Sequence, residues 1–288
     1  MMLSFLKIAA VVVLPALAVL FYRTIVLPPQ QWAKHTSGGL LGEVHIKDSK
    51  DAHKLADDSK AEAFSMWEEP SSNWELMHNE TNLRVEVRRI TEGPFNTSGL
   101  LLSRSEGIVN NVTPDELYRF LTTPIGLQLL DPNLDLDEAA KYIERYDWEG
   151  HGKDARLDVH ESFNRVVLPG MSERYYIVLN GYDYHQRFFF CKSVVHDSKP
   201  GSSPYYEGSP MPTTDPRVRA LNTFYFQMMD APSGQGTLVR MVNYADLRIG
   251  STMINWMTAK VFYPDLYSKL NAKWSDDSSN HDGFVGSS

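Results

Sequence analysis

The chain has 288 residues, 42% of them hydrophobic, which is enough for a real core in one large domain or two small ones and excludes global disorder. A formal net charge of -8 without a Lys/Arg stripe excludes general binding of nucleic acid or of an anionic membrane surface through net charge. The single cysteine, Cys191, excludes an intramolecular disulfide and a cysteine-built metal site; beside Phe188, Phe189 and Phe190 it reads as a small buried hydrophobe.

Residues 8–27 are apolar apart from Arg23. A helix of roughly 20 such residues reaches ~30 Å, the thickness of a bilayer core. Arg23 lies near one end, where its stem can snorkel toward the headgroups. Residues 1–27 are therefore expected to be a transmembrane or signal-anchor segment. The competing reading is a cleaved signal peptide, with Lys7 as its charged region and Ala16-Leu17-Ala18 as its processing site. The anchor implies a single-pass protein of the endomembrane system, such as the endoplasmic reticulum; cleavage implies secretion. Sequons at Asn79, Asn96 and Asn111 would suit a lumenal domain.

Residues 28–72 are polar and of mixed charge and are expected to be a linker. A helix can form over 52–67, but Leu55, Phe64 and Trp67 are its only large apolar residues. From Asn73 onward the texture changes. Leu83, Val85 and Val87 alternate with charged neighbours, as in a half-buried strand, and residues 99–110 can supply another. Thr113-Pro114-Asp115-Glu116 is a helix start: Thr113 can cap, Pro114 suits the first helical position, and Glu116 can complete a capping box. This helix turns Leu117, Phe120 and Leu121 inward and stops near Pro124. Residues 135–144 fit a helix, whereas 142–148 would serve as a strand.

Four further stretches are β-like, at 155–165, 174–181, 184–196 and 221–229. Residues 198–216, rich in Pro, Gly and Ser, must be a loop. A hairpin turn at 231–236 leads into the last strand, 237–247. The last helix is expected over 250–274, with Met253, Ile254, Met257 and Val261 recurring at spacings of three and four on one face. The acidic, small residues of 275–288 read as a disordered tail. A long helix delivered after a β region can pack over the sheet and close a cavity beneath it, which makes an α+β domain of residues 73–274.

Several short motifs occur in a telling order. Val112-Thr113-Pro114-Asp115-Glu116 opens a helix, and Asp158-Val159-His160-Glu161 lies on a strand. Arg217-Val218-Arg219-Ala220 precedes a strand and hairpin. Thr237 then leads to Asn243-Tyr244-Ala245-Asp246, and Tyr263-Pro264 stands ahead of Leu266 in the terminal helix. In this order, residues 73–274 resemble the START domain, a lipid-transfer module. The resemblance implies a helix-grip fold, in which a curved antiparallel sheet wraps a long C-terminal helix around an internal hydrophobic cavity for one lipid. One departure is that the family's Arg-Asp pair ahead of the strand at Tyr175 reads Glu173-Arg174 here.

On strand 155–165, Leu157, Val159, Glu161 and Phe163 share one face and Arg156, Asp158, His160 and Ser162 the other. Glu161 interrupts an apolar row, and burying it requires a base, a hydrogen-bond donor or a ligand head group. The resemblance implies an inward acid on this strand paired with an Arg on the next, where this chain has Leu179 or Asn180. Arg240 likewise interrupts Leu238, Val242 and Tyr244. Phe163, Tyr176, Phe188, Phe190, Phe224, Phe226, Met228, Met241, Met253, Ile254, Met257 and Val261 would make a lipid-sized apolar wall, and ordinary core is the alternative.

The chain has no G-x-S-x-G elbow, P-loop or Rossmann fingerprint, and its histidines lack zinc spacing, so no catalytic residue, cofactor or metal is expected. The expectation is a membrane-anchored lipid-binding or lipid-transfer protein, gated by its terminal helix and with Glu161 at the polar end of the ligand. The alternatives are a cavity enzyme on the same scaffold and a lipid sensor or scaffold that does not transfer.

Overall fold

A computed structural model of the chain describes residues 44–89, 101–131, 134, 141–164, 174–196, 218–219, 221–246 and 258–280. Residues 1–43 lie outside this set, and with them the expected membrane segment. No helix among the described residues is long and apolar enough to cross a membrane.

The strands form an 11-stranded sheet. The main path runs β2 (Glu75–Glu80), β3 (Leu83–Arg89), β4 (Leu101–Val109), β11 (Thr237–Asp246), β10 (Leu221–Asp230), β8 (Phe188–His196), β7 (Arg174–Asp183), β6 (Arg156–Asn164), β5 (Lys141–Asp147), with every neighbouring pair antiparallel. Two short strands join in parallel, β1 (Val44–Ile46) on β8 and β9 (Val218–Arg219) on β7. Among the described residues four α-helices accompany the sheet: α1 (Ser49–Glu68), α2 (Pro114–Leu121), α3 (Pro124–Leu130) and α4 (Tyr263–Asn280), the last preceded by a π turn over Thr258–Phe262.

Helices cover both faces of the sheet. On one face Leu157, Val159, Ile177, Leu179, Phe188, Phe190, Tyr225, Val242 and Tyr244 share a core with α1. On the other, Leu83, Val85, Phe189, Phe226, Met228, Val239 and Met241 share a core with α2 and α4.

α1 lies within what the sequence presents as a linker, so that expectation is corrected. Asp48 caps it by accepting from the Asp51 N–H. Ala52, Ala56, Ser59 and Ala63, spaced about one turn apart, are all fully buried, and their small side chains let the helix backbone approach the sheet. Leu55, Met66 and Trp67 flank this stripe. A search for large apolar residues misses such a face. Polar ties fix the register: Lys192 Nζ reaches Glu62 at 3.0 Å, the Tyr225 hydroxyl donates to the same carboxylate at 2.6 Å, and Arg104 donates to the carbonyls of Met66 and Glu69 at 2.7 and 2.8 Å. The Arg104 contacts satisfy carbonyls that the helix end leaves without an intrahelical partner.

α4 is fastened to the sheet by three side chains one turn apart. Tyr263 shares a hydrogen bond with Ser103 at 2.9 Å, the Tyr267 hydroxyl donates to the Val239 carbonyl at 3.0 Å, and Asn271 donates to the Ile108 carbonyl at 3.2 Å. Gly107 makes the close approach possible, because a Cβ there would stand 2.2 Å from the Tyr267 ring. The helix continues to Asn280, past the expected end at 274. The expected capping box at Thr113 and Glu116 is present. A second helix, α3, begins where the sequence suggests only a stop, with Thr123 as its cap and Pro124 in its first turn.

Candidate functional site

Because cross-strand partners share a face, the registers map the α4 face row by row. One row runs Arg145, Asp158, Asn180, Cys191, Phe224, Asn243, Ser103 across seven strands. Beside it runs a largely apolar row of Arg156, Tyr182, Phe189, Phe226, Met241, Ser105 and Val85. The first row is polar across most of the sheet although α4 and other elements cover it.

Its polar end is built around Asp158, which is buried. Arg145 donates to the carboxylate at 2.6 and 3.1 Å, Arg156 donates at 3.0 Å, and His160 Nε2 stands 3.8 Å away. Burial alone would raise the pKa of this carboxyl, but hydrogen bonds from His160, Arg145 and Arg156 outweigh it and hold the group well below the usual carboxylate range. The Arg156 guanidinium also stacks on Tyr182 at 4.2 Å from the ring centre, which locks its direction. Opposite Asp158, Asn180 is buried and its Oδ1 accepts no hydrogen bond among the described residues. A buried acceptor left in that state calls for a donor.

On the apolar part of this face Phe226, Met228, Val239 and Met241 are sealed beneath the helices, and Tyr176 and Val178 form a smaller cluster, with Cys191 packed against both groups. Around that cluster Cys191, His160, Ser162, Asn222, Asn243 and Ala245 are only half-buried. Burial nevertheless pushes the Cys191 thiol up to about 12. The connections 165–173, 197–217 and 247–257 all leave the strands at the end of the sheet nearest this cluster.

The expected wall residues divide between the faces. Tyr176, Phe224, Phe226, Met228 and Met241 stand on the α4 face. Phe188 and Phe190 stand on the other, where Phe188 meets Phe64 and Trp67 of α1 and Phe190 meets Trp148. Arg240 is also on the α1 face, paired with Glu106 at 2.7 Å. Glu161 shares the face of Leu157 and Val159, opposite Ile177, so the inward acid of β6 is Asp158 and not Glu161. Alternation gives two faces but not which core each serves; with both covered, the richer apolar row proves to be the one under α1. Phe163 lies opposite Tyr175, and its side chain is outside the described set. Met253, Ile254 and Met257 also lie outside the described residues. Val261 is 60% exposed. The π turn around it shifts the helical phase, so that Ala259, Tyr263, Leu266, Tyr267 and Leu270 point inward instead. Among the described residues no group of His, Cys, Asp or Glu is arranged to hold a metal ion.

No protein-family model matches the chain, and no curated protein matches it in sequence. Solved structures do match. Human StAR-related lipid transfer protein 5 superimposes with a TM-score of 0.51 at 19% identity, over 79% of this chain and 100% of that one. The fold is START-like. Human STARD10 aligns with a TM-score of 0.48 at 16% identity, over 84% of this chain and 86% of that one. In START-like terms, α4 is the gripped helix and the polar row crosses the face it covers.

Proposed function

We propose that the chain is a lipid carrier that holds one lipid between the sheet and the C-terminal helix, with the polar end of the lipid at Asp158 and Asn180. The observation that carries this reading is that Cys191, Asn222, Asn243 and Ala245 on the α4 face are only half-buried beside the small Tyr176–Val178 cluster. The likeness in fold to a lipid transfer protein supports it.

The polar end favours a ligand that donates a hydrogen bond. Asp158 is already neutralised by two guanidinium groups, and Asn180 Oδ1 lacks a donor among the described residues. A hydroxyl, as on a sterol, ceramide or diacylglycerol, supplies it. The terminal helix and the segments next to it loosen at a bilayer to admit the ligand, a gating step. Residues 1–27 anchor the chain in an endomembrane. Deleting them releases the chain from the membrane fraction, while retention of the shortened chain there would remove the anchor. A cavity enzyme would need a titrating acid or base at this site. Asp158, held below the usual carboxylate range, is a poor proton acceptor, which favours the carrier, whereas the His160 ring 3.8 Å from it is the arrangement that would favour the enzyme.

The deciding experiment is mass spectrometry of lipids extracted from the purified chain, together with transfer between vesicles. A folded chain that carries no lipid and transfers none overturns the proposal.

A further inference from the structure

At the opposite end of the sheet from the connections 165–173, 197–217 and 247–257 lies a second feature, independent of the lipid reading. The β5–β6 turn, the β7–β8 turn and α2 enclose an open cleft of about 360 Å³. A neighbouring space of about 400 Å³ adjoins it, and Arg119, Asp154 and Tyr184 belong to the walls of both. Together the walls carry the cations Arg119, Lys153, Arg156 and Arg187 against the carboxylates Asp115 and Asp154. This excess of positive charge sits on a chain whose net charge is -8.

Two of the four cations are already committed. Arg187 is paired with Asp115, and Arg156 donates to Asp158 at 3.0 Å and to the Tyr184 hydroxyl at 3.3 Å. Arg119 and Lys153 make no ion pair or hydrogen bond among the described residues; Arg119 acts on Asp115 through space only. The frame that presents them is fixed. In the β5–β6 turn, Gly150 and Gly152 adopt φ of +83° and +99°, a conformation that favours glycine. His151 between them stacks on Trp148 at 4.3 Å and lies 2.8 Å from the buried Asp183. The turn that carries Lys153 is thus pinned to the sheet, and Arg119 sits on a capped helix.

We infer that this cleft binds a phosphate monoester through Arg119 and Lys153, with the Tyr184 hydroxyl beside them. A guanidinium and an ammonium lining one cleft suit a tetrahedral group with several anionic oxygens. The volume leaves room for the organic part of the ester. The same chemistry is presented by a lipid head group and by a soluble ester, and the experiment separates the two.

The full chain, in detergent, is titrated calorimetrically with glycerol 3-phosphate. Reconstituted in vesicles of phosphatidylcholine, it is tested for capture of added vesicles with and without phosphatidic acid. The comparison is with the Arg119→Gln/Lys153→Gln double variant, whose exposed positions leave the fold intact, and with Lys54→Gln on α1 as a charge control. Melting temperatures check folding. Saturable binding of the soluble ester, weakened about tenfold or more by the double substitution and unchanged by Lys54→Gln, supports the site and assigns it a soluble ligand. Capture that requires phosphatidic acid and is lost in the double variant supports it with a head-group ligand. Binding of neither probe, or equal binding by the double variant or equal loss in Lys54→Gln, overturns it.

Discussion

Asp158 shows how one side chain couples stability to the site. Its carboxylate, only 3% exposed, lies between Arg145, which is half in solvent, and Arg156, so removing its charge strands one guanidinium more than the other. Asp158→Asn is expected to cost ~2 kcal/mol at pH 7 in urea unfolding, the low end for a broken buried pair because solvent screens Arg145. The folded-state pKa is depressed, so the contribution is complete above the unfolded value of about 3.9 and is lost as the pH falls through the folded one. The gap between parent and variant should therefore narrow when the titration is repeated at pH 3. A variant as stable as the parent at pH 7 would show that the arginines are held by something else. Cys191 offers a second test at this scale. With its thiol pushed up to about 12, roughly one molecule in ten thousand is thiolate at pH 8. Iodoacetamide should leave the folded chain unmodified by mass spectrometry and label it fully in denaturant; prompt labelling of the folded chain would contradict the desolvated environment.

At the scale of elements, the docking of α4 rests on the missing side chain at Gly107. Gly107→Ala must push the Tyr267 ring away, which strains the hydrogen bond to the Val239 carbonyl, and is expected to destabilise by about 1–3 kcal/mol. Combining it with Tyr267→Leu should cost less than the sum of the two single changes, since the ring is the shared obstacle. Strict additivity in thermal unfolding would mean that the helix shifts bodily instead. α1 poses a different problem. Its anchoring face is Ala, Ala, Ser and Ala, residues that carry little hydrophobic signal, while its charged residues dominate the composition. The periodicity is present in the sequence; its meaning depends on a flat sheet to lie against.

For the whole molecule, the distinction that matters is between an interior filled by side chains and one that admits a ligand. Val178→Trp adds bulk beside the space proposed for the lipid, at the cluster of Val178 and Tyr176 against which Cys191 packs. If a lipid occupies that space, vesicle-to-vesicle transfer should fall about tenfold while stability changes by less than ~1.5 kcal/mol, because the added ring fills space instead of overpacking a core. A large loss of stability with transfer unchanged would indicate a solid interior and remove the carrier function.

The order of the longer strands from β3 onward, with α2 and α4, was legible from the sequence alone, because alternation, the capping box at Thr113 and the hairpin turn at 231–236 are local signals with local causes; α1, α3 and the strands β1, β2 and β9 were not. The resemblance that implied the fold was legible too, since it lies in the order of short motifs. What only tertiary structure decided was which face of the sheet each residue serves. Val159 and Asp158 must point in opposite directions on any strand, but α1 had to pack over one side before Glu161, Phe188, Phe190 and Arg240 could be set there and Asp158 and Asn180 on the other. The physical reason is that burial depends on what covers a surface, and the covering helices come from parts of the chain far from the strands they cover.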